Sequence, residues 1–344
     1  MVTIFEQNIS PFRSKRYKLE NQALVVILDW TFFFSTPLES FINSSIHRCP
    51  TTICQVTSDK TLLNSSHVVF FHERNFDPMD LPNYRHPSQL FVIANWEAPL
   101  HISGSTAFIE HNFFNLTMTY RRDSDIFSPY MLVEKNKNVL QQNDEQLTKL
   151  AKGKTKHIAW FVSNCHTSSG RELYVKQLQK YIAVDIYGGC GPLRCSRENG
   201  SCTDMLKNDY RFYLSFENAI CLDYVTEKVT TALSTYVMPI VLSRAIAEPL
   251  LPEGSFVAVD DFESPKLLAE FLYKLGNDTT WYITYFKYKL EYTVRDEPWT
   301  TRICSLCEQF SRNRQPFIRH VKNFQKWFTQ NGDCAPIFIA DERN

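Results

Sequence analysis

The sequence predicts an α/β fold of two doubly wound, Rossmann-like domains. Three observations carry this: apolar runs of strand length bounded by turn residues, helix-like stretches alternating with such runs in the second half, and one polar interval dividing the chain. The first-half runs are Ala23–Trp30, His67–His72, Leu90–Trp96 and Leu116–Tyr120. Unbroken apolar runs suit strands covered on both faces of a parallel sheet. Residues 134–156 then turn polar, which divides the chain into domains 1–150 and 151–344. In the second half the strand-like runs are His157–Val162, Val184–Tyr187, Phe212–Phe216, Pro239–Leu242 and Phe256–Val259. Between them the spacing predicts helices over Arg171–Ile182, Asp223–Val237 and Pro265–Leu275, the alternation of βαβ units. The tail Phe317–Phe328 has helical spacing and is expected to pack back on the body.

Composition excludes several function classes. A chain of 344 residues with 44% hydrophobic and 14% aromatic content can fill two cores. Lys+Arg and Asp+Glu both number 37, so no global positive field exists to hold nucleic acid or an anionic membrane. Any anion site must be local. No G-x-G-x-x-G follows a strand and no G-x-x-x-x-G-K-[ST] occurs, which argues against a nicotinamide enzyme and a P-loop NTPase.

Ten cysteines stand at 49, 54, 165, 190, 195, 202, 221, 304, 307 and 334. A structural zinc site needs two close pairs, and Cys304-x-x-Cys307 lacks a good second one in Cys49 and Cys54. Disulfides in an oxidising compartment are the better reading. Six Asn-x-Ser/Thr sequons, at Asn8, Asn43, Asn64, Asn115, Asn199 and Asn277, are candidate glycosylation sites. Residues 1–22 carry no apolar signal core. The stretch Ala23–Phe34 is interrupted by Asp29 and falls short of the about 20 apolar residues of a membrane span. A membrane anchor is therefore expected upstream of this chain, or the start is incomplete.

Three places could carry chemistry. In YRFYLSFENAICLDYVTEK (Tyr210–Lys228) a strand ends at Phe216, Glu217-Asn218 follow, and Asp223 is the expected N-cap of a helix with Glu227 and Lys228 at its start. Free N–H groups at a helix start suit a diphosphate, and Lys228 would add a full charge. Arg171 opens another helix after the strand HIAWFVSN and could grip the same diphosphate bidentately. An ordinary capped helix with a solvated lysine, and a surface helix arginine, fit these residues equally. Glu97, in Asn95-Trp96-Glu97-Ala98-Pro99-Leu100-His101, lies just past a strand end beside Trp96 and is expected to be partly desolvated, as suits a general base; a plain turn carboxylate is the alternative. Asp123-Ser124-Asp125 imitates a metal-binding Asp-x-Asp but reads better as a hydrogen-bonded turn, so no metal site is expected.

WEAPLH, NFFNLTMTYRRDSDIFSPY, AWFVSN, VDIYG, YRFYLSFENAICLDYVTEK and PIVL, in this order across about residues 23–310, resemble the motifs of the α1,3/4-fucosyltransferases, glycosyltransferase family 10. The Cys190…Cys195…Cys202…Cys221 group is similar to the invertebrate and plant branch, and Trp299…Cys304-x-x-Cys307 also fits the family. The resemblance implies a GT-B architecture, an acceptor-binding first domain, and a GDP-fucose-binding second domain with a C-terminal helical tail. It implies inverting transfer of L-fucose from GDP-fucose to a GlcNAc or related hydroxyl of glycoprotein or glycolipid glycans. By motif, Glu97 is then the base, and Arg171 and Lys228 offset charge on the leaving GDP. Asn218, Tyr224, Glu227, Glu217 and Tyr187 are the donor-binding residues. Cys304 and Cys307 are implied to bridge to Cys49 and Cys54. No tightly bound cofactor is implied, though a divalent cation such as manganese could stimulate. The family is Golgi-membrane anchored, which implies a Golgi location. The chain departs from the family pattern at Ser243, commonly Gly after PIVL, and at Ala98 and Leu100, commonly polar. The competing expectation is a secreted glycan-binding protein of the same fold without catalysis.

Overall fold

The strand-length apolar runs assemble into two separate parallel sheets. The computed structural model describes residues 24–42, 46–109, 112–137, 144–196, 200–312 and 321–335. The first sheet holds β1 (Leu24–Asp29), β2 (Ile46–Arg48), β3 (Ile53–Thr57), β4 (Val68–His72), β5 (Leu90–Asn95), β6 (Leu116–Thr119) and β7 (Ile126–Phe127), in the order β2-β3-β1-β4-β5-β6-β7. Every neighbouring pair is parallel except β2 with β3. Every residue of β4 and β5 is buried, which is why these strands read as unbroken apolar runs rather than alternating ones.

After β8 (Met131–Lys135) and α1 (Asp144–Gly153) comes the second sheet. Its elements are β9 (Lys156–Phe161), α2 (Arg171–Leu178), β10 (Val184–Tyr187), α3 (Ser201–Asp209), β11 (Tyr210–Leu214), α4 (Glu227–Ser234), β12 (Met238–Val241), α5 (Arg244–Ala247) and β13 (Val257–Ala258). The order is β10-β9-β11-β12-β13, all parallel. Then follow α6 (Pro265–Asn277), α7 (Thr279–Thr284), β14 (Tyr292–Asp296), α8 (Trp299–Arg312) and α9 (Phe324–Gln330). α6 begins where sequence rules place it: the Ser264 side chain accepts from Leu267 N–H, Pro265 occupies the first turn, and Leu268, Leu272 and Leu275 turn to the core.

The chain then returns to the first sheet. β14 pairs antiparallel with β8, and α8 buries Ile303, Leu306 and Cys307 in the first core. The division at residue 151 assigns these residues to the second domain; in the fold, α8 and α9 cover the first. Disulfides Cys49–Cys304 and Cys54–Cys307 fasten α8 there. Cys165–Cys190, Cys195–Cys202 and Cys221–Cys334 complete the set, and no cysteine is left for zinc.

Three expectations need correction. Asp223 does not cap α4. It adopts φ +59° and its carboxylate turns away to Arg122, while Thr226 stands at the N-cap. The tail helix runs Phe324–Gln330, later than expected, with residues 317–320 of the expected span outside the described residues. Asn115 cannot carry a glycan in the fold: it is 3% exposed, and its side-chain oxygen accepts from Phe91 N–H and from Arg85. Asn64 and Asn277 are exposed, whereas Asn8, Asn43 and Asn199 lie outside the described residues. Among the described residues no helix is long and apolar enough to cross a membrane.

Candidate active site

Both sheets end their strands toward the same region, and Glu97 is there because β5 ends at Asn95. The Asn95 side-chain oxygen accepts the Glu97 N–H at 3.0 Å, which turns the chain sharply out of the sheet. Trp96 anchors the turn: its indole N–H donates to Ser128 O at 3.0 Å, and its carbonyl accepts from the Tyr130 hydroxyl. Beneath, the buried Arg302 guanidinium lies 5.1 Å from the Trp96 ring and donates to the Ser128 hydroxyl and Pro129 O, with Glu297 as counter-charge at 3.4 Å. Glu97 itself is half-buried, as expected, and among the described residues its carboxylate carries no hydrogen bond.

On the other side, β11 runs into Phe216, Glu217 and Asn218. Glu217 is 7% exposed and organises the start of α4. One of its oxygens accepts from the Thr226 N–H and hydroxyl, each at 2.8 Å, and the other accepts from Lys228 Nζ at 2.8 Å. Thr226 and Glu227 are the remaining acceptors of Lys228. Burial pushes the Glu217 carboxyl above its ordinary range, against the pull of Lys228. Burial also opposes the charge on Lys228, but Glu217 and Glu227 outweigh it and the ammonium is held above its usual range.

Arg171 is 3% exposed. Its guanidinium donates to Phe216 O at 2.5 Å and Asn164 O at 3.1 Å and so braces the ends of β9 and β11, while its Nε is buried without a hydrogen-bond partner. Burial lowers its pKa, and its positive charge in turn reaches Lys228. Ser169 and Ser168 stitch the Arg171 loop to the Glu217 and Asn218 carbonyls. Asn218 meets His101 across the gap at 3.5 Å, and its side-chain oxygen is buried without a hydrogen-bond partner.

Tyr224 leaves the second domain to join a cluster with Tyr120 and Tyr130, at ring separations of 5.1 and 6.3 Å. Burial keeps all three phenols well above their usual range, and Glu97 and Glu217 add to it in each case. Tyr130 also feels Glu227. The carboxylates of both sides thus surround one aromatic cluster. Sequence reasoning assigned no role to Tyr120 or Tyr130, although both lie within the quoted NFFNLTMTYRRDSDIFSPY stretch.

Tyr187 does not belong with the others. It is 6% exposed, and its hydroxyl turns to Tyr210 at 2.8 Å, where Tyr210 also meets Asp185 and Lys156. The Asp123-Ser124-Asp125 turn is internally bonded: Arg121 holds Asp123, Thr117 holds Asp125, and Ser124 pairs with Thr119.

Residues 151–327 match the family model described as glycosyltransferase family 10 (fucosyltransferase) C-term, and residues 21–131 match that described as fucosyltransferase, N-terminal. The chain is 35% identical over 292 residues to glycoprotein 3-alpha-L-fucosyltransferase A of Drosophila melanogaster, covering 84% of this chain and 57% of that protein. It is 35% identical over 302 residues to alpha-(1,3)-fucosyltransferase fut-1 of Caenorhabditis elegans, covering 83% of this chain and 66% of that protein. The chain thus spans less than two thirds of either relative. A crystal structure of an alpha1,3-fucosyltransferase with GDP-fucose superposes with a TM-score of 0.52 at 15% identity, over 79% of this chain and 84% of that one, which shows the α/β GT-B fold.

Proposed function

The chain belongs to glycosyltransferase family 10, the fucosyltransferases, and from that we propose that it transfers L-fucose from GDP-fucose, with inversion, to the 3-hydroxyl of a GlcNAc or related residue on glycoprotein glycans. Tyr130 carries the reading. Its hydroxyl anchors the turn that bears Glu97, and its ring lies in the field of Glu97, Glu217 and Glu227 together. Tyr130 also packs against Tyr224, with ring centres 6.3 Å apart, which links the base turn to the loop before α4.

The donor diphosphate takes the start of α4, where Lys228 is already oriented by Glu217 and Thr226. Asn218 and Glu227 border that position, and Tyr224 forms its wall. Arg171, bound to Phe216 O, shapes the loop and contributes a fixed positive charge from beneath. The acceptor enters on the side of Glu97. Its oxygen attacks the anomeric carbon from the face opposite GDP as the bond from that carbon to the phosphate oxygen breaks. Glu97 takes the hydroxyl proton, and the charge gathering on GDP is met by Lys228. Fixed cations act most strongly on charge that grows in the transition state. The five disulfides support a location in the lumen of the secretory pathway, the Golgi by family analogy.

The test is incubation with GDP-fucose and a glycan panel ending in core GlcNAc, LacNAc or LacdiNAc, read by mass and by linkage analysis. Fucose α-linked at O3 is expected. No transfer to any acceptor, with GDP still bound, would instead support the glycan-binding protein without catalysis.

A further inference from the structure

We propose that the short segment from Gly332 to Cys334 is a strut that sets the spacing of the two catalytic loops, with Gly332 as its positioning residue; this rests on the reading of Glu97 as the base. Gly332 follows α9, and its backbone lies directly on the ring of Pro99, two residues after Glu97. A Cβ at this position would stand 2.7 Å from Pro99 Cγ, 3.1 Å from Pro99 Cβ and 3.0 Å from Phe328 O. The nearest of these is closer than real carbon atoms approach, and a proline ring cannot swing aside as a flexible side chain would. Only glycine lets the two backbones meet here.

The same segment holds the donor loop by its other side. The Gly332 carbonyl accepts Leu222 N–H at 2.8 Å, and Ala335 N–H donates to Ile220 O at 2.8 Å. Between these bonds Cys334 is joined covalently to Cys221. Ile220 is two residues past Asn218, and Cys221 leads through Asp223 to the Thr226 cap. The foot of the strut is fixed by Arg121, which is fully buried. It donates to Phe328 O at 3.1 Å and Trp327 O at 3.3 Å, and its other arms are taken by Asp123. One piece of chain is therefore wedged against the base turn, hydrogen-bonded and disulfide-bonded to the donor loop, and anchored below. Its thickness at Gly332 sets how far the Glu97 turn stands from the Asn218–Cys221 loop. A bulkier residue would push Pro99, and Glu97 with it, away from the acceptor oxygen. Donor binding, which belongs to the far side, would be left alone.

The experiment compares Gly332→Ala, Gly332→Ala/Pro99→Ala, Cys221→Ser/Cys334→Ser and Glu97→Gln. For each, kcat and acceptor KM for fucosyl transfer are measured, with GDP affinity by calorimetry. Displacement of a catalytic group by about 1 Å costs up to roughly a hundredfold, so Gly332→Ala is expected to lower kcat by about ten- to a hundredfold. GDP affinity and acceptor KM should stay near wild type. Adding Pro99→Ala removes the ring carbon that the new methyl meets and should restore part of kcat, a rescue that mere loss of folding would not give. Cys221→Ser/Cys334→Ser, which leaves Gly332 in place, should also lower kcat and supplies the test should Gly332→Ala not fold. Wild-type kcat in Gly332→Ala, a double variant no faster than Gly332→Ala, or wild-type kcat in the cysteine pair overturns the strut. If Glu97→Gln transfers fucose normally while the Pro99→Ala rescue persists, the base assignment fails and the strut stands.

Discussion

Asp223, in the loop before α4, holds Arg122 of the first domain: its carboxylate accepts the Arg122 backbone N–H at 2.9 Å and Nε at 2.8 Å. The Asp223 side chain is 3% exposed and that of Arg122 48%. The backbone here is left-handed, at φ +59°, which Asp and Asn tolerate better than Ala. Leaving a buried hydrogen-bonding group unmet costs about 1–3 kcal/mol. Asp223→Asn should therefore lower the urea midpoint, and Asp223→Ala should lower it further. Equal midpoints for all three proteins would mean that the tie contributes nothing to stability.

Lys228→Ala removes the cation proposed to meet the diphosphate. A hydrogen bond to a charged group is worth about 1.5–3 kcal/mol, so GDP affinity should fall roughly ten- to a hundredfold by calorimetry, and turnover should fall with it. The variant should also be less stable, because Glu217 loses the partner at 2.8 Å that offsets its burial. Unchanged GDP affinity would move the diphosphate away from the start of α4.

The two bridges to α8 close almost the same loop, with sequence separations of 255 and 253, and the sulfurs of Cys49 and Cys54 lie 3.3 Å apart. A long-loop disulfide contributes about 2–5 kcal/mol. Either bridge alone already restricts the unfolded chain, so Cys49→Ser/Cys304→Ser should cost little. Removing both bridges should cost more than the sum of the separate losses. Simple additivity in guanidinium unfolding would contradict this.

Asp29 ends β1 and is fully buried, with one oxygen accepting Leu38 N–H at 2.7 Å. Burial raises its pKa from the ordinary 3.8 to about 7. The folded protein therefore favours the protonated acid. Its stabilising contribution is complete below pH 4 and is lost as pH rises through 7, by on the order of 4 kcal/mol across the window. Asp29→Asn keeps an acceptor for Leu38 and should flatten the stability profile between pH 4 and 7. A wild-type slope in the variant would place the titration elsewhere.

The apolar runs were legible because β4 and β5 are buried on both faces and contain little else. Strands without such a run escaped. β2, β7 and β14 lie at sheet edges or in the two-stranded ribbon, where half-exposed positions leave no apolar run. Asp223 carried a cap's chemistry but not its geometry. The sequence between Asp223 and Glu227 cannot reveal a partner 101 residues away in Arg122. Glu97 and Glu217 could be picked out because each follows closely on a strand end, and Lys228 because it stands at the start of a helix. Tyr130 could not, because its role exists only once β5 and the α4 loop are brought side by side. Tyr187 misled because a strand-end tyrosine looks available until the fold turns its hydroxyl onto Tyr210.

The most direct test of the account is the single-turnover rate of fucosyl transfer by Glu97→Gln with GDP-fucose and acceptor both saturating. The amide keeps the shape of the side chain but cannot accept the acceptor's proton. The rate should fall by about 10²–10⁴-fold while the donor remains bound. A rate near wild type would remove Glu97 as the base and, with it, the placement of the acceptor beside the Trp96 turn.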